Sequence, residues 1–366
     1  MSATQDKARA KLAEAARLRA LFEAAGARAV ETTLLQPADL LLDLYGEDIR
    51  ARAFTTQDPL RGEMMLRPDF TVPVVQMHMT DGANRARYCY SGQVFRRQED
   101  DPERATEYLQ AGYEVFDCGN PALSDAEVFA TIAGALAPLD LRVAIGDIGI
   151  LSAAIRGLRT SAPRKAALLR HLWRPRRFRA LLDRFSDGSA SKPRRKILDQ
   201  ADPFAKAGPV IGLRSRAEVE ARLATLRAEA DEPPISALEV ELIDDLLALQ
   251  AKAPVALSHL QDLAVDLPAI QPAVQGMERR LDALGDRGID VETLDFEASY
   301  GRTSMEYYDG FVFGFFADGR PDLPPVATGG RYDALTRVLG QGRAIPAVGG
   351  VIRPDLTLRL GTEGGR

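Results

Sequence analysis

The sequence predicts an α+β protein in which a long helical stretch interrupts two β-rich parts. Three observations predict it. Strand-like runs at 86–98 and 107–117 flank a polar loop, an Arg/Ala/Leu-rich helical texture runs from about Leu151 to Pro272, and β-like texture returns at 289–317.

Taken in order, the chain opens on a helix. Ser2 with Gln5 reads as a capping box, Leu18, Leu21, Phe22 and Ala25 form one stripe, and Gly26 stops it. Val30 to Leu44 reads as a strand, a proline punctuation at Pro37, then a helix. Residues 52–82 read as strands around a turn. Ser124 with Glu127 is expected to cap a helix ending near Pro138, and LRVAIGDIG is a further strand. The helical stretch is broken by SDGSASKPRR and DEPP, which marks 151–272 as an inserted or appended module. Beyond it, MEYYDGFVFGFF closes the β-like texture, and PPVATGGRYDALTRVLG reads as strand, glycine turn and helix.

A chain of 366 residues can bury a sizeable core as one large or two ordinary domains. The net charge of −5 gives no global reason to expect nucleic-acid binding. No apolar run approaches the roughly 20 residues of a membrane span, and the charged, helical N-terminus is not a signal peptide. Two cysteines, Cys89 and Cys118, make no disulfide framework and fit a reduced cytoplasm. His78, His171 and His259 are far apart and lack metal-ligand spacing. The expectation is a cytoplasmic protein with neither metal nor cofactor.

One segment departs from this average. RKAALLRHLWRPRRFRALLDRF, residues 164–185, carries eight basic residues against one acid. It reads either as the solvated side of short helices or as a contact for RNA, nucleotide phosphates or an acidic protein face.

Polar residues also recur in phase where a half-buried strand should be apolar. On 107–117, Gln110, Gly112 and Glu114 point one way because side chains alternate with period 2. An amide and a carboxylate across a glycine gap suit a small ligand bearing N–H donors, although a solvent-facing strand side carries the same residues. Arg96 and Gln98 share a face of the preceding run, where an arginine could grip a carboxylate or phosphate or pair with an acid of the loop. From Glu306 to Gly314 one face reads Glu306, Tyr308, Gly310, Val312 and Gly314, as for close approach of a ligand or of packed backbone. TGGRYD could admit an anion at a helix start, but a lone glycine pair is a weak signal. P-loop, Rossmann and nucleophile-elbow patterns are missing.

In chain order these pieces resemble the class II aminoacyl-tRNA synthetases, specifically histidyl-tRNA synthetase. LLQPADLLLDLYGE resembles motif 1, MLRPDFTVPV the LRPE-T segment, and FRRQ through EYLQAGYEVFD motif 2 and its continuation. MEYYDGFVF resembles the histidine-specific LDYY-T-VFE signature, and TGGRYDAL with IPAVGG the segments before motif 3. The resemblance spans roughly residues 15–355. It implies an antiparallel sheet flanked by helices, a homodimer through motif 1, a core of 1–150 plus 273–366, and the 151–272 insertion. It also implies a histidine pocket drawn from Asp69, Thr71, Arg96, Gln110, Glu114, Tyr307 and Tyr308.

The departures from that family point away from catalysis. Arg96 matches the arginine that grips the ATP α-phosphate, but a second family arginine falls at Thr303 and the motif 3 arginine at Leu356. The LRPE glutamate is shortened to Asp69. Amino-acid activation concentrates negative charge on phosphate, and loss of one oriented donor can cost on the order of 10²–10³ in rate. Only about ten residues follow motif 3, too few for the anticodon-binding domain, which needs roughly 50. Such a chain resembles the regulatory-subunit family of ATP phosphoribosyltransferase. That resemblance implies no catalytic residue, the short-form catalytic subunit as partner, histidine as a possible ligand, and no nucleic-acid or membrane partner. A divergent synthetase and a synthetase-like histidine sensor remain as alternatives.

Overall fold

In the computed structural model, residues 3–39, 52–97, 105–187, 196–205, 208, 212–302 and 307–363 are described. The capping box at Ser2, most of the motif 1 segment, Gln98, Thr303 and Glu306 lie outside them. The leading strands are β1 (Arg28–Ala29), β2 (Leu35–Pro37), β3 (Thr55–Asp58), β4 (Gly62–Leu66), β5 (Arg85–Phe95), β6 (Glu107–Asp117) and β7 (Leu141–Asp147). Later come β8 (Gln250–Lys252), β9 (Asp295–Glu297), β10 (Phe311–Ala317), β11 (Ala327–Arg331) and β12 (Ala347–Ile352). A nine-stranded sheet runs β1-β5-β6-β12-β11-β10-β7-β9-β8, and β2-β4-β3 forms a separate antiparallel sheet. Only β1/β5 and β7/β9 are parallel, so the six central strands form one antiparallel run. The α+β class and the antiparallel sheet are both present.

Helices cover this sheet. Helix α1 (Ala3–Ala24) buries Leu18 and Phe22 fully, the latter beside Tyr113 of β6 with ring centroids 5.7 Å apart. Leu21 of the expected stripe is 42% exposed, so the buried face is narrower than the pattern implied. Gly26, with φ at +94°, ends the helix in a left-handed conformation that favours glycine.

Residues 52–82 do hold strands around a turn, β3 and β4, but the end of that stretch is helix α2 (Thr71–Asp81), which the strand reading did not include. Val74, Val75 and His78 bury one helical face, and Pro73 sits in the first turn where its missing N–H costs nothing. Helix α3 (Pro121–Leu136) starts earlier than expected. Asn120 accepts from Ala122 N at 3.0 Å and Pro121 opens the first turn, leaving Ser124 inside the helix. Glu127 is held instead by Arg87, at 2.6 and 2.7 Å, and by the Tyr113 hydroxyl at 2.6 Å. Phe129 of α3 packs on Phe311, Phe313 and Phe315 of β10, the apolar counterpart of the polar pocket.

Between β7 and β9 lie α4 (Ile148–Gly157), α5 (Ala162–Arg170), α6 (Pro175–Ser186), α7 (Arg216–Asp231), α8 (Ala237–Ala248), α9 (Ala253–Asp266) and α10 (Gln271–Gly285). Short β8 interrupts them to pair with β9 on the sheet's far edge. The chain closes with α11 (Asp333–Leu339) and α12 (Pro354–Glu363).

Strand β2 ends at Pro37 and helical backbone begins at Ala38, as the proline punctuation implied, although the strand opens only at Leu35. Two further expectations are corrected. Tyr307 and Tyr308 precede β10 instead of lying in it, so the alternation read from Glu306 to Gly314 begins only at Phe311. Gly329 and Gly330 are interior to β11, not a turn: a Cβ at Gly329 would sit 2.2 Å from Phe313 and 2.4 Å from the Gly349 carbonyl. Sheet packing accounts for that glycine pair.

Candidate functional site

Glu114 lies near the middle of β6, opposite Tyr88 of β5 and Gly349 of β12. Space for its carboxylate comes from Gly349, where a Cβ would sit 1.4 Å from Oε2. Gly112 does the same for Tyr90: a Cβ there would lie 2.3 Å from the ring. The expected flat gap at Gly112 is therefore filled, because the facing strand supplies a tyrosine of matching register. That ring stacks on Phe70 with centroids 4.2 Å apart.

Three hydroxyls close over Glu114. Tyr90 donates to Oε1 at 2.8 Å, Thr71 at the start of α2 donates to Oε1 at 3.0 Å, and Tyr332 donates to Oε2. Burial pushes the Glu114 carboxyl up to about 7, against the opposing pull of these hydroxyls. A ligand reaching this carboxylate must displace a hydroxyl or bind through it.

Above this floor is a cleft lined by Asp69, Thr71, Arg96, Gln110, Tyr307, Tyr308, Thr328 and Arg353. Six of the seven expected pocket residues meet at its surface, and Glu114 lies beneath, joined through Thr71. Asp69 is 2% exposed, accepts from the Tyr307 hydroxyl at 3.3 Å and lies 3.6 Å from Arg96 Nη2. Arg96 falls just past the end of β5 and donates through Nε to Pro68 O at 2.7 Å. It pairs with Asp69, a pairing that sequence separation concealed. Gln110 is 2% exposed, and its Oε1 has no partner among the described residues. A buried amide acceptor with nothing to accept is costly unless a ligand or water donates to it. The cleft is small, about 30 Å³ against the roughly 300 Å³ or more of ordinary small-molecule pockets, so an amino acid requires its walls to part.

Arg353 was not singled out in the sequence. Its guanidinium lies 4.9 Å from the Tyr108 ring centre and lines the cleft, three residues before Leu356. The proline that follows and the start of α12 gave a signal that a chain direction changes there. Leu356 itself is buried at 6% exposure within the core. Arg302, the cation adjacent to Thr303, points away: Nε donates to Leu172 O at 2.9 Å and the guanidinium lies 4.9 Å from the Phe178 ring centre.

Among the described residues, no group of three or more His, Cys, Asp or Glu side chains could hold a metal ion, and no helix is long and apolar enough to cross a membrane.

An antiparallel sheet with this polar cleft on its central strands defines a class II synthetase-type core. Two solved structures share the fold. A protein from Bacillus halodurans described as an ATP phosphoribosyltransferase regulatory subunit/histidyl-tRNA synthetase superposes with a TM-score of 0.67 at 21% identity, covering 96% of this chain and 79% of that one. Histidyl-tRNA synthetase from Nostoc gives 0.63 at 18% identity, covering 98% and 73%. The family model for histidyl-tRNA synthetase matches residues 3–206 and 213–355. ATP phosphoribosyltransferase regulatory subunits of Brucella ovis and Brucella abortus are each 32% identical over 94% of this chain and 96% of the relative. The chain belongs to the histidyl-tRNA synthetase-like family, among the ATP phosphoribosyltransferase regulatory subunits.

Proposed function

We propose that this chain is a non-catalytic subunit that assembles with the short-form catalytic subunit of ATP phosphoribosyltransferase and activates it. In this reading it also carries histidine feedback on the first step of histidine biosynthesis, with histidine held in the Asp69–Gln110 cleft. The observation that carries the non-catalytic part is Leu356: the position matching the motif 3 arginine is a leucine sealed in the core. A buried leucine offers no charge to a phosphate, and fixed cations are what phosphoryl-type transition states need. Family membership supports the partner. Residues 1–150 and 273–366 form the core unit in this proposal, 151–272 the inserted module, and the motif 1 segment the homodimer contact.

Activation is a population shift: the subunit binds the active arrangement of its partner better than the inactive one. Histidine biases the equilibrium the other way through a coupling free energy of about 1–3 kcal/mol. The test mixes the chain with the short catalytic subunit of the same organism and follows phosphoribosyl-ATP formation with and without histidine. The expected result is a faster, histidine-sensitive reaction from a stable hetero-oligomer. Equal rates with and without this chain, or separate elution at micromolar concentration, overturn the proposal.

A further inference from the structure

Two arginines line the small cleft, and they reach it from opposite sides of β6. In the strand order β5-β6-β12, Gln110 sits on the middle strand, Arg96 just past the end of β5 and Arg353 just past the end of β12. Gly349 pairs with Glu114, Val351 with Gly112 and Ile352 with Ala111, so Arg353 is next in line with Gln110. Paired residues share a sheet face with every second neighbour, which sets Arg353, Gln110 and Glu114 on the same one. The ladder holds to that point: Arg353 N donates to Val326 O at 2.9 Å, one step beyond the Ala327–Ile352 pair. Pro354 then opens α12. The Arg353 guanidinium stands over the ring of Tyr108, 4.9 Å from its centre, and Tyr108 is two residues from Gln110 on that face.

The acceptors of the cleft are placed differently. Asp69 is buried, and Gln110 Oε1 is buried with no partner among the described residues, so both suit an ammonium group. An α-amino acid carries its carboxylate on the same carbon as its ammonium, and that carboxylate needs a donor close to these acceptors. Arg96 is the poorer choice. Its Nη2 lies 3.6 Å from Asp69 and its Nε donates to Pro68 O, so a carboxylate drawn to it is set against the carboxylate of Asp69. Phe95 N donates to Arg67 O at 3.1 Å, which keeps the segment carrying Asp69 beside the end of β5. Arg353 comes from the other side, by way of β12.

We propose that Arg353 is the carboxylate-binding residue of this cleft: its guanidinium grips the α-carboxylate in fork geometry while Gln110 and Asp69 accept from the ammonium group. The site then takes free α-amino acids and rejects those whose carboxyl is masked, as in an amide, an ester or a peptide bond. The inference rests on the reading that histidine occupies the Asp69–Gln110 cleft, and deepens it by naming the residue that reads the acid end.

The test is calorimetry on the complex with the short catalytic subunit, using L-histidine and L-histidinamide, in which a neutral amide replaces the carboxylate. The wild type is expected to prefer histidine by roughly tenfold or more. Arg353→Gln weakens histidine roughly tenfold to a hundredfold and histidinamide less than about threefold, so the preference collapses. Arg353→Lys, which keeps the charge without the fork, lowers the preference in part and carries the test if the glutamine variant does not fold. Arg96→Gln weakens both ligands alike and leaves the preference intact. The preference is a ratio within each protein, so a general loss of stability does not imitate its collapse. A wild-type complex that binds no histidine sinks this inference together with the reading beneath it. Histidine binding whose preference over histidinamide is absent, survives both Arg353 variants, or collapses in Arg96→Gln instead overturns the role of Arg353 alone.

Discussion

Arg280 of α10 donates through Nε to Asp125 of α3 at 2.8 Å, with both side chains buried and the two residues 155 positions apart in sequence. The same guanidinium reaches Asp147 at 2.9 Å, while Asp125 also accepts from Arg331 at 2.7 Å. Two arginines and two aspartates thus tie the last helix before β9 to the sheet. Arg280→Ala is expected to destabilise the protein by about 3–5 kcal/mol, because it strands buried carboxylates. Urea denaturation measures this, and a loss below about 1 kcal/mol contradicts it.

Glu114 sets a pH dependence opposite in sign to that of an ordinary paired carboxylate. Its folded value near 7 lies above the ordinary 4.5, so the native state binds the proton more tightly than the unfolded chain. The resulting stabilisation is full below about pH 4.5 and lost as pH rises through about 7. The stability difference between wild type and Glu114→Gln should therefore shift against the wild type on the order of 1–3 kcal/mol between about pH 5 and 8. A difference constant across that range contradicts the assignment.

Gln110→Leu removes a buried cleft acceptor that has no partner among the described residues. Histidine binding, followed by calorimetry on the complex, should weaken by about 0.5–1.5 kcal/mol, with stability unchanged or raised. Unaltered affinity places histidine elsewhere.

No histidyl-adenylate should form: histidine-dependent exchange of pyrophosphate into ATP is expected at the no-enzyme level. Leu356→Arg does not restore it. Burying a guanidinium at that core position instead lowers the melting temperature, since desolvation costs several kcal/mol per ion. Exchange clearly above background refutes the non-catalytic reading.

Gly112→Ala tests the packing of the floor. Its methyl would overlap the Tyr90 ring, so a loss of about 1–3 kcal/mol is expected in chemical denaturation, together with disturbed stacking on Phe70. Neutral stability implies that Tyr90 has another resting place.

Local pattern made the long central strands legible. Period-2 alternation placed Gln110 and Glu114 on one side of β6, and ordered motifs brought Asp69, Thr71, Tyr307 and Tyr308 to the same neighbourhood. Tertiary facts were not legible. The helix Thr71–Asp81 carries Val72, Val74 and Val75, whose β-branched side chains give no local helix signal, and it is their burial in the folded protein that accompanies the helical form. Asp69 and Arg96 are 27 positions apart, and nothing local announces that they pair. Tyr90 filling the Gly112 gap depends on inter-strand register, which the pattern of a single strand cannot supply.

Strands β1 and β8, the two margins of the large sheet, are its shortest or nearly so, at two and three residues. Each lies against a longer neighbour or a covering helix and leaves little unpaired backbone along the rim. Another polypeptide therefore finds little ladder to extend at the β1 and β8 margins of this sheet, and strand donation there has a poor template.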